Sequence, residues 1–356
     1  MFMDSNNKSI SSLSEKSLIE RIIKLSESKN STLKDEYFNL IGDDCSVILF
    51  EDKYLITTSD MLIQKHHFPN EMSFYNMGFK AVTANVSDLA SMGAKTLGIL
   101  ISIGLYKDLK LNEFDEIFKG ILAGCDFYNI PLLGGDTNDA DEIIITGTAI
   151  GYTDKKPMMK YGFNPGDLIC LTGKVGFAAL GFELLKREEY ANNQSKQNND
   201  IIDYSINKAL NPIAKLKEGQ ILLDLNVKVA TDITDGLGSE LASLLESDKK
   251  YCLSNNQIDE NSYSKGIRIY EEKLDISSDY LELSDKFGLD KLQMQLNIGE
   301  DFEILFIIPS KIKEFLTKQL DFKVIGEIID KNTLEIVLSN GDLENLSTNG
   351  YDHFKC

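Results

Sequence analysis

Apolar residues at Leu18, Ile22, Ile23 and Leu25 recur at helical spacing among glutamates and lysines, which predicts a first helix over 13–26. The runs SVILF (46–50) and YLITT (54–58), split by Glu51-Asp52-Lys53, read as a β-hairpin. A helix follows over 74–92, with Ser73 placed to cap it and Gly93 placed to end it. Residues 97–105 have the pattern of a buried strand, 114–128 that of a second helix, and the β-branched run 143–152 that of another strand. A turn-like patch at 153–157 precedes Asn164-Pro165-Gly166, which marks a turn ahead of a new strand. A helix over 177–188 and a strand over 227–232 come next, the latter running through Gly236-Leu237-Gly238 into a helix. Late strands fall at 304–308 and 323–329. Strands and helices interleave throughout, so the expected class is α/β (α+β), with domains over 13–155 and 156–356 behind a disordered extension at 1–12. The Asn/Gln-rich stretch 192–200 has no apolar content and is expected to be a mobile surface insertion. No internal repeat is visible.

Charge narrows the possible partners. Thirty-seven basic residues against 56 acidic ones leave a formal charge of −19, which repels nucleic acid and anionic membranes. An anionic substrate then needs counter-ions or a local cation. The polar N-terminus lacks a secretory h-region, and no stretch approaches the roughly 20 apolar residues of a membrane span. Five scattered cysteines without a CxxC read as reduced thiols of a cytoplasmic protein. Three histidines with no metal-like spacing disfavour zinc. The chemistry is therefore sought among carboxylates.

The acids fall at telling places. Asp43-Asp44 precedes a strand, and Asp60 ends the strand YLITTSD directly after Thr58 and Ser59. Asp136 closes LLGGD, whose glycines allow a ligand close to the backbone. Asp232 and Asp235 bracket a strand end in ATDITDG, and Glu300-Asp301 lies in GEDFE before an apolar strand. Asp88 differs, lying inside a predicted helix one turn beyond Asn85. Singly, each acid reads as a solvated turn or a helix cap. Jointly, acids at successive strand ends converge on one rim of an α/β domain, where ligands bind. Carboxylates, hydroxyls and amides without nearby His or Cys suit Mg²⁺, bound together with substrate phosphates. The implied chemistry is phosphoryl transfer or metal-assisted nucleotide hydrolysis.

Two nucleotide fingerprints are missing. TGKVG (172–176) lacks the spacing and the hydroxyl of a P-loop, and no GxGxxG opens a helix after a strand. TGKVG reads as a strand-to-helix turn, although its amides could face an anion.

The motifs IGDDC (41–45), TTSDMLIQKHHF (57–68), MGFKAVTANVSDLASMGA (77–94), LLGGDTN (132–138), YGFNPGDLICLTG (161–173), TDITDGLGSEL (231–241), GEDFEILF (299–306) and GYDHF (350–354) span nearly the whole chain. In this order they resemble the thiamine-monophosphate kinase family, of the aminoimidazole ribonucleotide synthetase-like superfamily. The resemblance implies a two-domain fold whose N-terminal mixed sheet and helices form the interface of a homodimer. It also implies ATP-dependent phosphorylation of thiamine monophosphate to thiamine diphosphate, with several Mg²⁺ ions and no covalent enzyme intermediate. By it, Asp44, Thr58, Ser59, Asp60, Asp88, Asp136, Asp232 and Asp235 hold Mg²⁺. Gly135, Asp136, Lys160 and Thr234 contact ATP, and His67, Glu300 and Tyr351 hold thiamine monophosphate. Asp88, Asp136, Asp232 and Lys160 are the expected catalytic set.

Four positions depart from the family pattern. Lys160 stands where an Arg is usual, Lys65 and Ile298 where glycines are, and Thr234 where a serine is. An Arg-to-Lys change exchanges a bidentate phosphate contact for a point charge. The alternatives are another ATP-using enzyme of the superfamily, or a nucleotide sensor that keeps the fold without turnover.

Overall fold

A computed structural model describes residues 13–30, 37–39, 42–187, 200–255, 262–274, 277–348 and 350–351. The predicted extension at 1–12 and nearly all of the insertion at 192–200 lie outside the described residues; Asp200 opens a helix. The strands are β1 (Tyr37–Asn39), β2 (Ser46–Phe50), β3 (Lys53–Ile63), β4 (Lys95–Leu105), β5 (Leu132–Asp139), β6 (Ile144–Thr153) and β7 (Asp167–Leu171). They continue with β8 (Val229–Asp232), β9 (Lys265–Tyr270), β10 (Ile304–Pro309), β11 (Lys323–Asp330), β12 (Leu334–Val337) and β13 (Leu343–Asn345). They make a six-stranded sheet of order β1-β2-β3-β6-β4-β5 and a seven-stranded sheet of order β13-β12-β9-β11-β7-β10-β8. Neighbours are antiparallel except β4–β5 and β9–β12, so the class is mixed α/β, as expected.

The predicted hairpin forms, with Glu51 at its turn in the left-handed region (φ 55°). Its second strand runs on to Ile63, however, so Asp60 lies inside β3 and does not end it. LLGGD also corrects the sequence reading. Pairing with β4 draws it into β5, and Asp136 is mid-strand. Strand β8 begins at Val229, two residues late, and the helix expected over 177–188 is Phe177–Leu185.

The helix Phe74–Ser91 occupies the centre. The Ser73 hydroxyl accepts from the Asn76 amide at 3.1 Å, and Gly93 (φ 72°) ends the turn, as the sequence predicts. Ala81, Ala84 and Ala90 are buried, and the helix touches β3 and β6 of one sheet and β8 and β10 of the other. One apolar core runs through both sheets, joining Ile56, Ile99 and Ala149 to Cys170, Ala230 and Phe306. Against this helix packs Leu111–Tyr128 at very short range. A Cβ on Gly120 would stand 1.8 Å from the Tyr75 carbonyl oxygen, and one on Gly78 2.0 Å from that of Ile117. Among the described residues no helix is long and apolar enough to cross a membrane.

Backbone cannot yield cheaply at such a crossing, so Gly120→Ala is expected to cost about 1–3 kcal/mol by forcing the helices apart. Thermal denaturation checks this; an unchanged melting temperature would contradict the crossing.

Candidate functional site

The site forms where the central helix meets β3, β8 and the loops before β2 and β10. Thr58 and Asp60 point from β3 towards the helix, and the Thr58 hydroxyl donates to Asp88 Oδ2 at 2.5 Å. The Asp60 amide donates to Asn85 Oδ1 at 3.1 Å. Asp44, in the loop before β2, accepts from Ser91 Oγ at 2.6 Å and from Lys160 Nζ at 2.5 Å. Lys160 also lies 3.7 Å from Glu240, and its amide donates to Asp43. Asp232 ends β8, with Oδ2 buried and lacking a hydrogen-bond partner.

Acids from five places in the chain thus share a small, poorly solvated volume. Burial, followed by the Asp44 charge, raises Asp43 to about 7 and Asp60 to about 6. Burial also lifts Glu240 to about 7, although Lys160 opposes it. Asp88 and Asp232 go well above the usual carboxylate range, first by burial and then by neighbouring aspartates. Burial works against the Lys160 ammonium, but Asp44, Glu240 and Asp43 outweigh it and push its pKa up.

A cleft of about 1040 Å³ opens from this cluster. Asp60, Asp88, Thr234 and Asp235 line it together with His67, Glu300 and Tyr351, so three of the eight expected metal residues share a space with the expected substrate residues, whereas Asp232 and Lys160 lie behind its wall and line neither this cleft nor the hollow beside it. Asp44, Thr58 and Ser59 line a smaller adjoining hollow. Gly135 and Asp136 are not brought in. The row Asp60–Gly147–Ile101–Gly135 crosses β3, β6, β4 and β5, and a Cβ on Gly147 would press on Asn85, which marks the helix-facing side. Asp136 belongs to the next row, with Ser102, Thr146 and Met61, on the opposite face. It is exposed and lies three strand spacings of about 4.8 Å from β3. Ser59 faces that same outer side, donating to the Gly147 carbonyl at 2.8 Å.

Two of the four departures from the family pattern, Ile298 and Lys65, have local explanations. The approach that demands glycine is at Gly299, where a Cβ would stand 1.7 Å from the Thr234 carbonyl oxygen. Ile298 has ordinary extended φ and packs on a neighbouring apolar cluster. Lys65 sits in the short helix Gln64–His67 with its side chain exposed, where no glycine geometry is needed. The TGKVG turn already has its anion: the buried Asp301 carboxylate accepts from the Gly176 amide at 2.9 Å.

Sequence reasoning passed over Glu240 and Ser91. Glu240 lies five residues beyond Asp235 on the helix Leu237–Ser254, and Ser91 one turn beyond Asp88. Helical spacing from Asp88 was the available signal for Ser91, whereas Asp235 precedes the helix that carries Glu240 and gave no such spacing. Among the described residues no three His, Cys, Asp or Glu side chains are gathered closely enough to hold a metal unaided. The carboxylates and hydroxyls still suit a hard cation, charge-crowded and with one buried carboxylate oxygen unpartnered. Contrary to the sequence reading a cysteine is nearby, but burial and the surrounding aspartates hold the Cys45 thiol protonated.

Residues 42–153 match the family "AIR synthase related protein, N-terminal domain". The chain is 35% identical over 320 residues to the thiamine-monophosphate kinase of Methanocaldococcus jannaschii, covering 86% of this chain and 93% of that protein. With the thiamine-monophosphate kinase of Pyrococcus abyssi the identity is 33% over 313 residues, covering 88% and 90%. The solved structure of AaThiL complexed with AMPPCP and TMP superposes with a TM-score of 0.79 at 25% identity, covering 98% of this chain and 100% of that one. A structure of the hydrogenase maturation protein HypE in complex with ATP, at 16% identity and a TM-score of 0.63, shares the fold.

Carboxylates with raised folded-state pKa values favour the folded protein while protonated, and that contribution disappears as pH rises through about 6 to 7. In EDTA the melting temperature should therefore rise by at least about 2 °C from pH 8 to pH 6, and rise less in Asp88→Asn. A flat or opposite trend in calorimetry would refute the crowding.

Proposed function

The chain belongs to the thiamine-monophosphate kinase family, and from that premise we propose that it converts thiamine monophosphate to thiamine diphosphate by direct transfer of a phosphoryl group from ATP. The observation that carries this reading is the single cleft lined by Asp60, Asp88 and Asp235 as well as by His67, Glu300 and Tyr351. Donor and acceptor are both phosphates, so the main barrier to their approach is electrostatic, and positioning with charge compensation supplies most of the catalysis. The acceptor oxygen is already ionised at neutral pH, so no general base is required.

We assign Mg²⁺ to Asp44, Thr58, Asp60, Asp88, Asp232 and Asp235, with Ser59 and Asp136 as further candidates. When bound, Mg²⁺ neutralises the phosphates and the acids together. Lys160 adds a fixed cation beside Asp44, and with Thr234 it is assigned to ATP. Gly135, which its own chain leaves outside the cleft, is assigned to ATP only together with Asp136 across the dimer proposed below. Glu300, His67 and Tyr351 are assigned to the organic part of thiamine monophosphate. Four buried thiols, Cys45, Cys125, Cys170 and Cys252, support a cytoplasmic setting.

The homodimer belongs to this proposal. The outer face of the six-stranded sheet exposes Met61, and its edge strand β5 exposes Leu133 and Asp136. A second copy seated there would bring Asp136 to a site it does not reach within its own chain.

Purified protein with ATP, Mg²⁺ and thiamine monophosphate should form thiamine diphosphate, read by chromatography, and EDTA should stop it. Asp88→Asn should lower kcat at least about 100-fold with the fold intact by circular dichroism. Wild-type turnover in that variant would sink the carboxylate assignment. Subunit exchange tests Asp136. Inactive Asp88→Asn and Asp136→Asn proteins, exchanged at equal amounts, should recover up to about a quarter of the wild-type rate if the site is shared across a two-fold dimer. No recovery would place Asp136 outside the partner's site.

A further inference from the structure

Lys80 is fully buried on the central helix, a costly place for an ammonium unless acceptors surround it. Two acceptors from separate parts of the fold meet there. The His67 carbonyl oxygen accepts from Nζ at 2.7 Å, and Glu300 Oε2 forms an ion pair with it. The Phe68 ring centroid lies 5.9 Å away. His67 follows β3 in the six-stranded sheet, whereas Glu300 precedes β10 in the seven-stranded one, so the ammonium ties the two sides of the cleft together. Glu300 adopts φ 66° and Phe302 φ 52°, unfavourable values that persist only where surrounding contacts enforce them. Lys80 engages Glu300 through Oε2, and the Glu300 side chain, 25% exposed, lines the cleft wall.

Lys80, Ala84 and Asp88 follow one another at intervals of four and form one stripe of the helix. Ala84 and Asp88 line the cleft, and the rise from Lys80 to Asp88 is roughly 12 Å. One rigid element therefore carries an acid for the phosphate end and a cation that anchors the opposite wall.

We propose that Lys80 is a positioning residue for thiamine monophosphate, holding Glu300 by one oxygen so that the other faces the ring system, and fixing the 66–68 wall at a set distance from Asp88. The proposal rests on the thiamine-monophosphate kinase reading. Thiamine monophosphate carries a cationic thiazolium ring and an exocyclic amine, and a fixed carboxylate oxygen suits either. Lys80 acts through Glu300 and does not touch the phosphates.

The test is steady-state kinetics and calorimetric binding of each substrate to wild type, Lys80→Met, Lys80→Arg, Glu300→Gln and the Lys80→Met/Glu300→Gln double variant. Lys80→Met should raise KM for thiamine monophosphate about tenfold, while KM for ATP and kcat change less than about twofold. Lys80→Arg, which keeps the charge, should show a smaller rise, and it carries the test if the Met variant does not fold. The double variant should be no worse than the more impaired single one, because both act on one contact. Equal rises in both KM values, additive losses, or wild-type affinity in both Lys80 variants would overturn the proposal. If wild type formed no product yet bound thiamine monophosphate, the kinase reading would fail and Lys80 would be judged by binding alone. If wild type neither bound it nor turned it over, both would fall.

Discussion

Mutual repulsion of carboxylates in a poorly solvated volume is the constraint on which the site depends. Asp44, Asp60, Asp88 and Asp232 come from the loop before β2, from β3, from the central helix and from the end of β8, and burial raises the pKa of the last three. Lys160 and the hydroxyls of Ser91 and Thr58 compensate part of that charge. Such an arrangement is poor for the stability of the isolated chain and good for capturing hard cations together with phosphates. The same cations would let a chain of formal charge −19 bind two polyanions.

The fold makes this crowding possible by holding one helix between two sheets. Its alanines and the glycines of Leu111–Tyr128 allow close packing, and Ala84 and Asp88 of its polar stripe line the cleft. The loop Gly299–Glu303 closes the other wall. Its amides donate to the Thr234 and Ile233 carbonyls, and Asp301 and Glu303 are buried against the TGKVG turn, with Lys208 also bonded to Glu303. Cleft geometry is thereby coupled to the cores of both halves.

Much of this was legible in the sequence. Periodicity placed the central helix and its Ser73 cap, the hairpin and the late strands, because local spacing and capping chemistry decide such elements. Carboxylates and hydroxyls without His or Cys pointed to hard-cation phosphate chemistry, and the ordered motifs pointed to the family. Strands β9, β12 and β13 were missed, since these short strands interleave charged and polar residues and lack the apolar runs that marked β2 and β10.

What the sequence determined by itself was the family and the kinds of side chain available to a site, because chemistry resides in residue type. Tertiary structure decided which of them meet. Asp60 and Asp136 look alike as acids following small residues, yet strand register sends one to the helix side and the other to the outer face of an edge strand. Pairing also carried β3 past Asp60 and drew LLGGD into β5, outcomes that depend on neighbours distant in the chain. Lys80 is the sharpest case. In sequence it is one lysine in a helix, and only the meeting of His67 and Glu300 at its ammonium shows why it is buried.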